Sequence, residues 1–180
     1  YAAALSRGRS PVSIIGGLQQ VSVEAADGVW IPRDERATGK DALTLREALI
    51  ASNNAAAVQL QQEMGARPVL RLASSLGVDN QPDVPSLALG SGLVTPMDLM
   101  AAYAVFPSLG YHVRPRGIVS VLDRSGSYVS RVHIERDRIL SEPVAYQMVT
   151  MLQDVVDRGT GAAARRLGVR GAVGGKTGTT

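Results

Sequence analysis

The chain has 180 residues, 45% of them apolar and 19% charged, with a net charge of +3, no cysteine, one Phe and one Trp. That length allows one domain with a real core, and the balance of apolar to charged residues is that of a globular chain, not a disordered one. The same figures exclude disulfides and thiolate metal sites, a membrane helix, which needs an apolar run of roughly 20 residues, and a nucleic-acid surface, which needs clustered basic and aromatic residues.

His112 and His133 stand in unrelated contexts without paired acidic neighbours, so neither a metal site nor a cofactor is expected. No basic stretch followed by an apolar one marks a signal peptide. The sequence opens at Tyr1 in "YAAAL", which already reads as helix, so the chain is expected to begin in mid-element, with that helix stopping near Gly8. "SRGRSPVSIIGG" carries turn signals and reads as loop. "QQVSVEAADGVWIPRDERATGKDA" has short apolar stretches and an Asp-Gly turn, which allow one short hairpin at most.

Helical periodicity then begins. Thr44 with Glu47 three positions on forms a capping box, and Leu45, Ala48 and Leu49 mark an apolar face. "NAAAVQLQQEMG" is a second helix ending at Gly65, and "RPVLRLASSLG" a third, with Pro68 near its start and Gly77 past its end. Pro and Gly keep "NQPDVPSLALGSGLV" out of helix. Thr95, Pro96 and Asp98 start the next helix, which stops before Pro107. Ile118 to Leu122 and Tyr128 to Ile134 are β-prone and flank "DRSGS", a hairpin signal. The longest helix follows Ser141, with Val144, Met148, Met151, Leu152 and Val155 on one stripe. A glycine-bounded turn and a short helix, "RGTGAAARRLG", lead to "GAVGGKTGTT", a candidate edge strand. The expectation is a single domain, 1–180, mostly helical.

Two stretches can carry chemistry. Ser52 and Asn54, in "SNN", lie between two helices. They can simply cap, or they can supply a proton-passing hydroxyl beside an amide that holds a substrate's backbone, provided a charged partner is near. "KTGTT" can be a polar tail. It can also be a strand on which Lys176 and the threonine hydroxyls hold a carboxylate, Gly178 admits a close backbone and a free N–H stabilises an oxyanion. On a regular strand Lys176 and Gly178 would face one way, Thr177 and Thr179 the other. Trp30 reads as a packing residue, with substrate stacking as the alternative. Arg158 with Gly159, Thr160 and Gly161 reads as a turn, and Arg165 and Arg166 as a solvated helix face.

Together these motifs resemble the transpeptidase domain of bifunctional, class A penicillin-binding proteins, in the superfamily marked by S-x-x-K, S-D-N and K-T-G. "SNN" matches the second motif in its S-x-N form and "KTGTT" the third. "TLREALIASNNAAAVQL", "LALGSGLVTPMDLMAAYAVFPSLG" and "VVDRGTGAAARRLG" are similar to the family's connecting stretches, and only Ser6 to Asp41 matches less securely. One motif is missing. No Ser stands three positions before either lysine, and Lys40 has Ala37 there. "YAAALSRG" is similar to the run that follows the nucleophile motif, so Ser and Lys are expected within about ten residues before Tyr1, at the family's spacing.

The resemblance implies an α+β fold like that of the serine β-lactamases, here mainly its helical part with an incomplete antiparallel sheet. It implies a peptidoglycan D,D-transpeptidase that cross-links stem peptides ending in D-Ala-D-Ala and is acylated by β-lactam antibiotics. Ser52 would relay protons with Lys176 beside it. Asn54 would bind the substrate amide; Lys176, Thr177 and Thr179 would hold the terminal carboxylate. Gly178 would let substrate lie close, and the Thr179 N–H would form half an oxyanion hole. The intact enzyme would sit in the bacterial cytoplasmic membrane with this domain on its outer side and a glycosyltransferase domain upstream. The chain by itself, lacking the nucleophile, is expected to be inactive. A penicillin-binding sensor and a non-catalytic homologue remain alternatives. A β-lactamase would need a deacylating base, for which neither Glu63 nor Glu135 has a matching context.

Overall fold

The structure is a computed structural model and describes residues 1–25, 28–34 and 38–178. Seven helices and four two-stranded antiparallel pairs make up its regular elements among these residues, an α+β arrangement. The helices are α1 (Ala2–Ser6), α2 (Leu45–Ala51), α3 (Asn54–Met64), α4 (Ala66–Ser75), α5 (Pro96–Ala104), α6 (Glu142–Arg158) and α7 (Ala163–Arg166).

Local signals explain where the helices start. At the head of α2 the Thr44 side chain accepts from the Glu47 N–H at 3.1 Å, and the Glu47 carboxylate accepts from the Thr44 N–H at 2.9 Å. Both reciprocal bonds of a capping box are therefore made. Thr95 caps α5 in the same way, accepting from the Asp98 N–H at 3.1 Å, with Pro96 at the first helical position. Ser141 precedes α6 but makes no side-chain cap bond there; Pro143 and Glu142 in the first turn suit a helix start without it.

One core joins α1, α2, α3 and α6. Leu45, Ala48 and Leu49 of α2 face Met148, Met151, Leu152 and Val155 of α6, with Ala55, Ala56, Val58 and Leu60 of α3 beside them. Met151 has no solvent exposure, so truncating it to Ala would cost about 2–5 kcal/mol. Of the expected α6 stripe, Val144 is only half-buried, while Ala145 and Val156 are buried on the same helix. A polar clamp reinforces the α2–α6 seam. Arg46 reaches Thr150 Oγ1 at 3.0 Å and pairs with Asp154, which Arg158 also binds at 2.9 Å.

The strands are where local reading fell short. β1 (Ile14–Ile15), inside the expected loop, pairs with β4 (Leu43–Thr44). Only a partner about 30 residues away makes it a strand. β2 (Val23–Ala25) and β3 (Gly28–Trp30) form the anticipated hairpin; Asp27 of its Asp-Gly turn lies outside the described residues. β6 (Ser120–Leu122) and β7 (Tyr128–Arg131) form the second hairpin, shorter than the β-prone runs around it. β5 (Tyr111–Val113) pairs with β8 (Arg136–Arg138), a long-range contact not anticipated. The Pro- and Gly-rich stretch after α4 contains a 3-10 turn, Pro85–Leu89, closed by Gly90 in a left-handed conformation. Residues 174–178 are not a strand: they make no ladder, and the Gly175 N–H donates instead to the Leu152 carbonyl of α6 at 3.1 Å. A strand needs a partner for its backbone groups, and none lies beside this segment among the described residues.

Asp154→Asn is expected to lower stability by about 1–2 kcal/mol, the scale of hydrogen bonds to charged groups reduced by solvent screening at these partly exposed side chains, or about 2–8 °C in melting temperature. Arg158 first, and then Arg46, hold the Asp154 carboxyl below its ordinary value. A depressed folded-state value contributes stability at neutral pH and loses it as pH falls through that value. Thermal melts should therefore show the gap between wild type and variant closing on acidification; a gap independent of pH would assign the effect to shape rather than charge.

Candidate active site

Ser52 reaches its position because of how α2 stops. The helix ends at Ala51, and Ser52 turns left-handed, with φ 54°. In that conformation the Ser52 N–H donates to the Leu49 carbonyl at 3.1 Å and the Asn53 N–H to Ala48 at 3.0 Å. A residue with a Cβ in this region carries a cost of about 1–2 kcal/mol, a strain that concentrates at functional sites. Asn53 then starts α3: it is buried, and its Oδ1 accepts from the Ala56 N–H at 2.7 Å. Capping was open for Ser52 and Asn54. The residue that caps with its side chain is Asn53 between them, which leaves the two flanking side chains for the cleft.

Lys176 meets Ser52 there. Its Nζ donates to Ser52 Oγ at 2.7 Å and to its neighbour's carbonyl, Thr177 O, at 2.8 Å. An ammonium can only donate, so Ser52 Oγ is the acceptor and its own proton is free for a third group. Burial lowers the Lys176 pKa from its ordinary value. Both Lys176 and Thr177 line the cleft, as does Gly178. The alternation of a regular strand does not apply, because the segment is not one. Thr179 lies outside the described residues.

The cleft holds about 780 Å³. The polar residues Ser52, Asn54, Lys176 and Thr177 line it together with the apolar Leu49, Tyr103, Phe106, Met148 and Leu152. Tyr1 lies at its edge, and burial, with a smaller push from the Asp34 charge, raises its phenol well above the ordinary value, so it stays a neutral donor. Gly175 rests on α6, and the turn at Gly159 rests on α2. A Cβ on Gly159 would come within 2.6 Å of the Ile50 carbonyl oxygen, so only glycine lets the end of α6 approach α2 this closely.

Sequence reasoning missed two residues of this site. Asp34 accepts from Asn53 Nδ2 at 2.6 Å and from the Asn54 N–H, while the Arg33 carbonyl accepts from Asn54 Nδ2 at 2.6 Å. The Arg33–Asp34 segment thus clamps the turn from outside, and Asn54, whose amide nitrogen it holds, lines the cleft. Thr160, read as part of a turn, also lines the cleft, and its hydroxyl meets that of Thr177 at 2.7 Å. No local pattern marks either residue; each contact joins distant segments. Trp30 is half-buried against the core, as a packing residue should be. Arg165 is not solvated as expected, but pairs with Asp157 at 2.7 Å; Arg166 is exposed.

Ser52→Gly should leave the melting temperature unchanged or raise it, since glycine accepts a left-handed φ without the Cβ penalty. A clear fall would mean that the hydroxyl contact outweighs the strain. Asp34→Ala should lower stability by about 1–3 kcal/mol, because it strips acceptors from two part-buried donors. Amide exchange should then accelerate at Asn54; unchanged exchange there would show that the clamp does not hold the turn.

The comparisons with known proteins give the family and the fold. A family model described as the penicillin binding protein transpeptidase domain matches residues 22–180. Penicillin-binding protein 1A of Aquifex aeolicus is 39% identical over 184 residues, an alignment covering 100% of this chain and 25% of that protein. The Pseudomonas aeruginosa protein of the same name is 30% identical, over 100% of this chain and 28% of its own length. The chain thus spans about a quarter of these curated relatives. Among solved structures, penicillin-binding protein 1A from Haemophilus influenzae superposes with a TM-score of 0.90 at 23% identity, covering 100% of this chain and 33% of that one. The imipenem acyl-enzyme complex of penicillin-binding protein A from M. tuberculosis gives 0.75 at 20% identity, over 87% of this chain and 41% of that one. At such identities the likeness is one of fold. By the family match and the fold it carries, the chain belongs to the penicillin-binding protein transpeptidase domain family.

Proposed function

We propose that this chain forms the S-x-N and K-T-G side of a serine D,D-transpeptidase that cross-links peptidoglycan stem peptides and is acylated by β-lactams. The observation that carries the reading is the contact of Lys176 Nζ with Ser52 Oγ at 2.7 Å, which joins the two motifs across one cleft. The attacking serine and its lysine are not among these 180 residues; we assign them to sequence outside them, in an enzyme several times longer. A glycosyltransferase domain and a membrane anchor, with this domain on the outer side of the membrane, belong to the same proposal. Among the described residues no helix is long and apolar enough to cross a membrane.

The serine Oγ attacks the carbonyl carbon of the penultimate D-Ala. The C–N bond to the terminal D-Ala breaks, and its nitrogen leaves with a proton. We assign Ser52 the delivery of that proton; the reading is supported by Lys176, which donates to its oxygen and leaves its hydrogen free. An amine of a neighbouring stem then attacks the ester, forms the cross-link and returns the proton to the serine. Asn54 Oδ1 accepts from a substrate amide N–H. We assign the terminal carboxylate to Lys176, Thr177 and Thr179, and half of the oxyanion hole to the Thr179 N–H. Gly178 keeps the approach open. Without the nucleophile, this segment alone binds but does not turn over.

In the complete polypeptide, Ser52→Ala and Lys176→Ala should each slow acylation by a labelled penicillin by roughly a hundredfold or more, the scale of a lost acid–base group. A wild-type protein that takes no label would overturn the proposal. The pH profile gives a second check. Burial lowers the Lys176 pKa, so the charged form is lost as pH rises through a value below the ordinary lysine range. The alkaline limb of acylation should lie there and move upward in Lys176→Arg.

A further inference from the structure

Thr160 occupies a position that the motif reading does not use. It follows Gly159 at the end of α6, and its backbone is held from both sides. The Thr160 N–H donates to the Ile50 carbonyl at 3.3 Å, and the Gly161 N–H donates to Val155 at 2.9 Å. The close approach of Gly159 to Ile50 fixes the turn against α2. From this anchored backbone the Thr160 hydroxyl meets the Thr177 hydroxyl at 2.7 Å, and both residues line the cleft beside Lys176.

A proton count shows what the pair can do. Each hydroxyl has one proton and two acceptor lone pairs. One proton is used between the two oxygens, so the pair has one left to donate to a ligand, whichever hydroxyl makes the internal bond. That internal bond also polarises the outgoing one. A carboxylate in the cleft would then receive one aligned O–H and the charge of Lys176, both charge-assisted contacts. A lone Thr177 hydroxyl would rotate freely and hold no such direction.

We propose that Thr160 is a positioning residue of the carboxylate subsite. By pairing with Thr177 it aims a single hydroxyl proton at the ligand's carboxylate and sets a preference for free-acid over esterified ligands. This rests on the transpeptidase reading above. Sites built to hydrogen-bond a given group discriminate against analogues that lack it, so the prediction is one of selectivity and not only of rate.

The test uses the complete polypeptide and two probes, a labelled penicillin with its free carboxylate and the methyl ester of the same compound. Thr160→Val keeps the shape and removes the hydroxyl; Thr160→Ser restores it. For the free acid, Thr160→Val should raise the half-saturating concentration for acylation about tenfold, because the Thr177 hydroxyl loses the partner that aims it at the carboxylate, with the limiting rate unchanged. The ester should react with Thr160→Val as with wild type, and Thr160→Ser should behave as wild type with both probes. Equal losses for acid and ester would overturn the inference by making Thr160 a merely structural residue. Wild-type behaviour of Thr160→Val with the acid would overturn it as well, while leaving the transpeptidase reading intact. A wild-type protein that neither probe acylates would remove that reading and this inference together.

Discussion

Two segments 124 positions apart meet at the cleft because both rest on the same two packed helices. α2 ends at Ser52, and its buried face lies on Met148, Met151, Leu152 and Val155 of α6. The segment before Lys176 leans on α6 through the Gly175–Leu152 hydrogen bond, and the Thr160 turn leans on the end of α2 through Ile50. The α2–α6 seam therefore sets the distance between Ser52, Lys176 and Thr160 at once. Burial of the apolar side chains supplies most of its attraction. The clamp of Arg46 on Thr150 and Asp154 fixes the register along the helix axes, which apolar contact alone does not specify.

The strain at Ser52 follows from the same constraint. For its hydroxyl to face Lys176, the chain must leave α2 and enter α3 within two residues. A left-handed residue does this by closing the last carbonyls of α2 while turning the backbone. Glycine would suit the backbone better, but it has no hydroxyl. Asn53, Asp34 and Arg33 compensate from outside: the cap to Ala56 and the bonds from the Asn53 amide, the Asn54 N–H and the Asn54 amide hold the turn in one geometry. This is the pattern of a local preference overridden and held by the surrounding structure.

What was legible in the sequence was local or carried by spaced motifs. The capping box of Thr44 and Glu47 and the Thr95–Pro96–Asp98 start need only a few neighbouring residues, and their hydrogen bonds are made as written. Ser52, Asn54, Lys176 and Thr177 could be singled out because motif order and connecting text pointed to them, and the fold brings all four to one cleft. Asp34 and Thr160 could not. An aspartate in a loop and a threonine between glycines have many ordinary uses, and their meaning here comes from partners brought close by packing. The β1–β4 and β5–β8 pairs were hidden for the same reason. At 174–178 the composition suggested a strand, but among the described residues no neighbouring strand takes up its backbone groups.

Direction of donation gives the site its order. Lys176 is a donor only, so it forces Ser52 Oγ to accept and turns the serine proton outward. The Arg33 carbonyl accepts from the Asn54 amide nitrogen and leaves the amide oxygen as the acceptor without a protein partner among the described residues. Thr160 and Thr177 share one proton and present the other. Each pairing removes a choice that a free side chain would otherwise have, before any ligand arrives. Fixing these groups in advance is what lets such contacts act at the moment of reaction without reorganisation. The cost is borne by the fold, in a left-handed serine and a lysine drawn partly out of water. Both are held by the seam between α2 and α6.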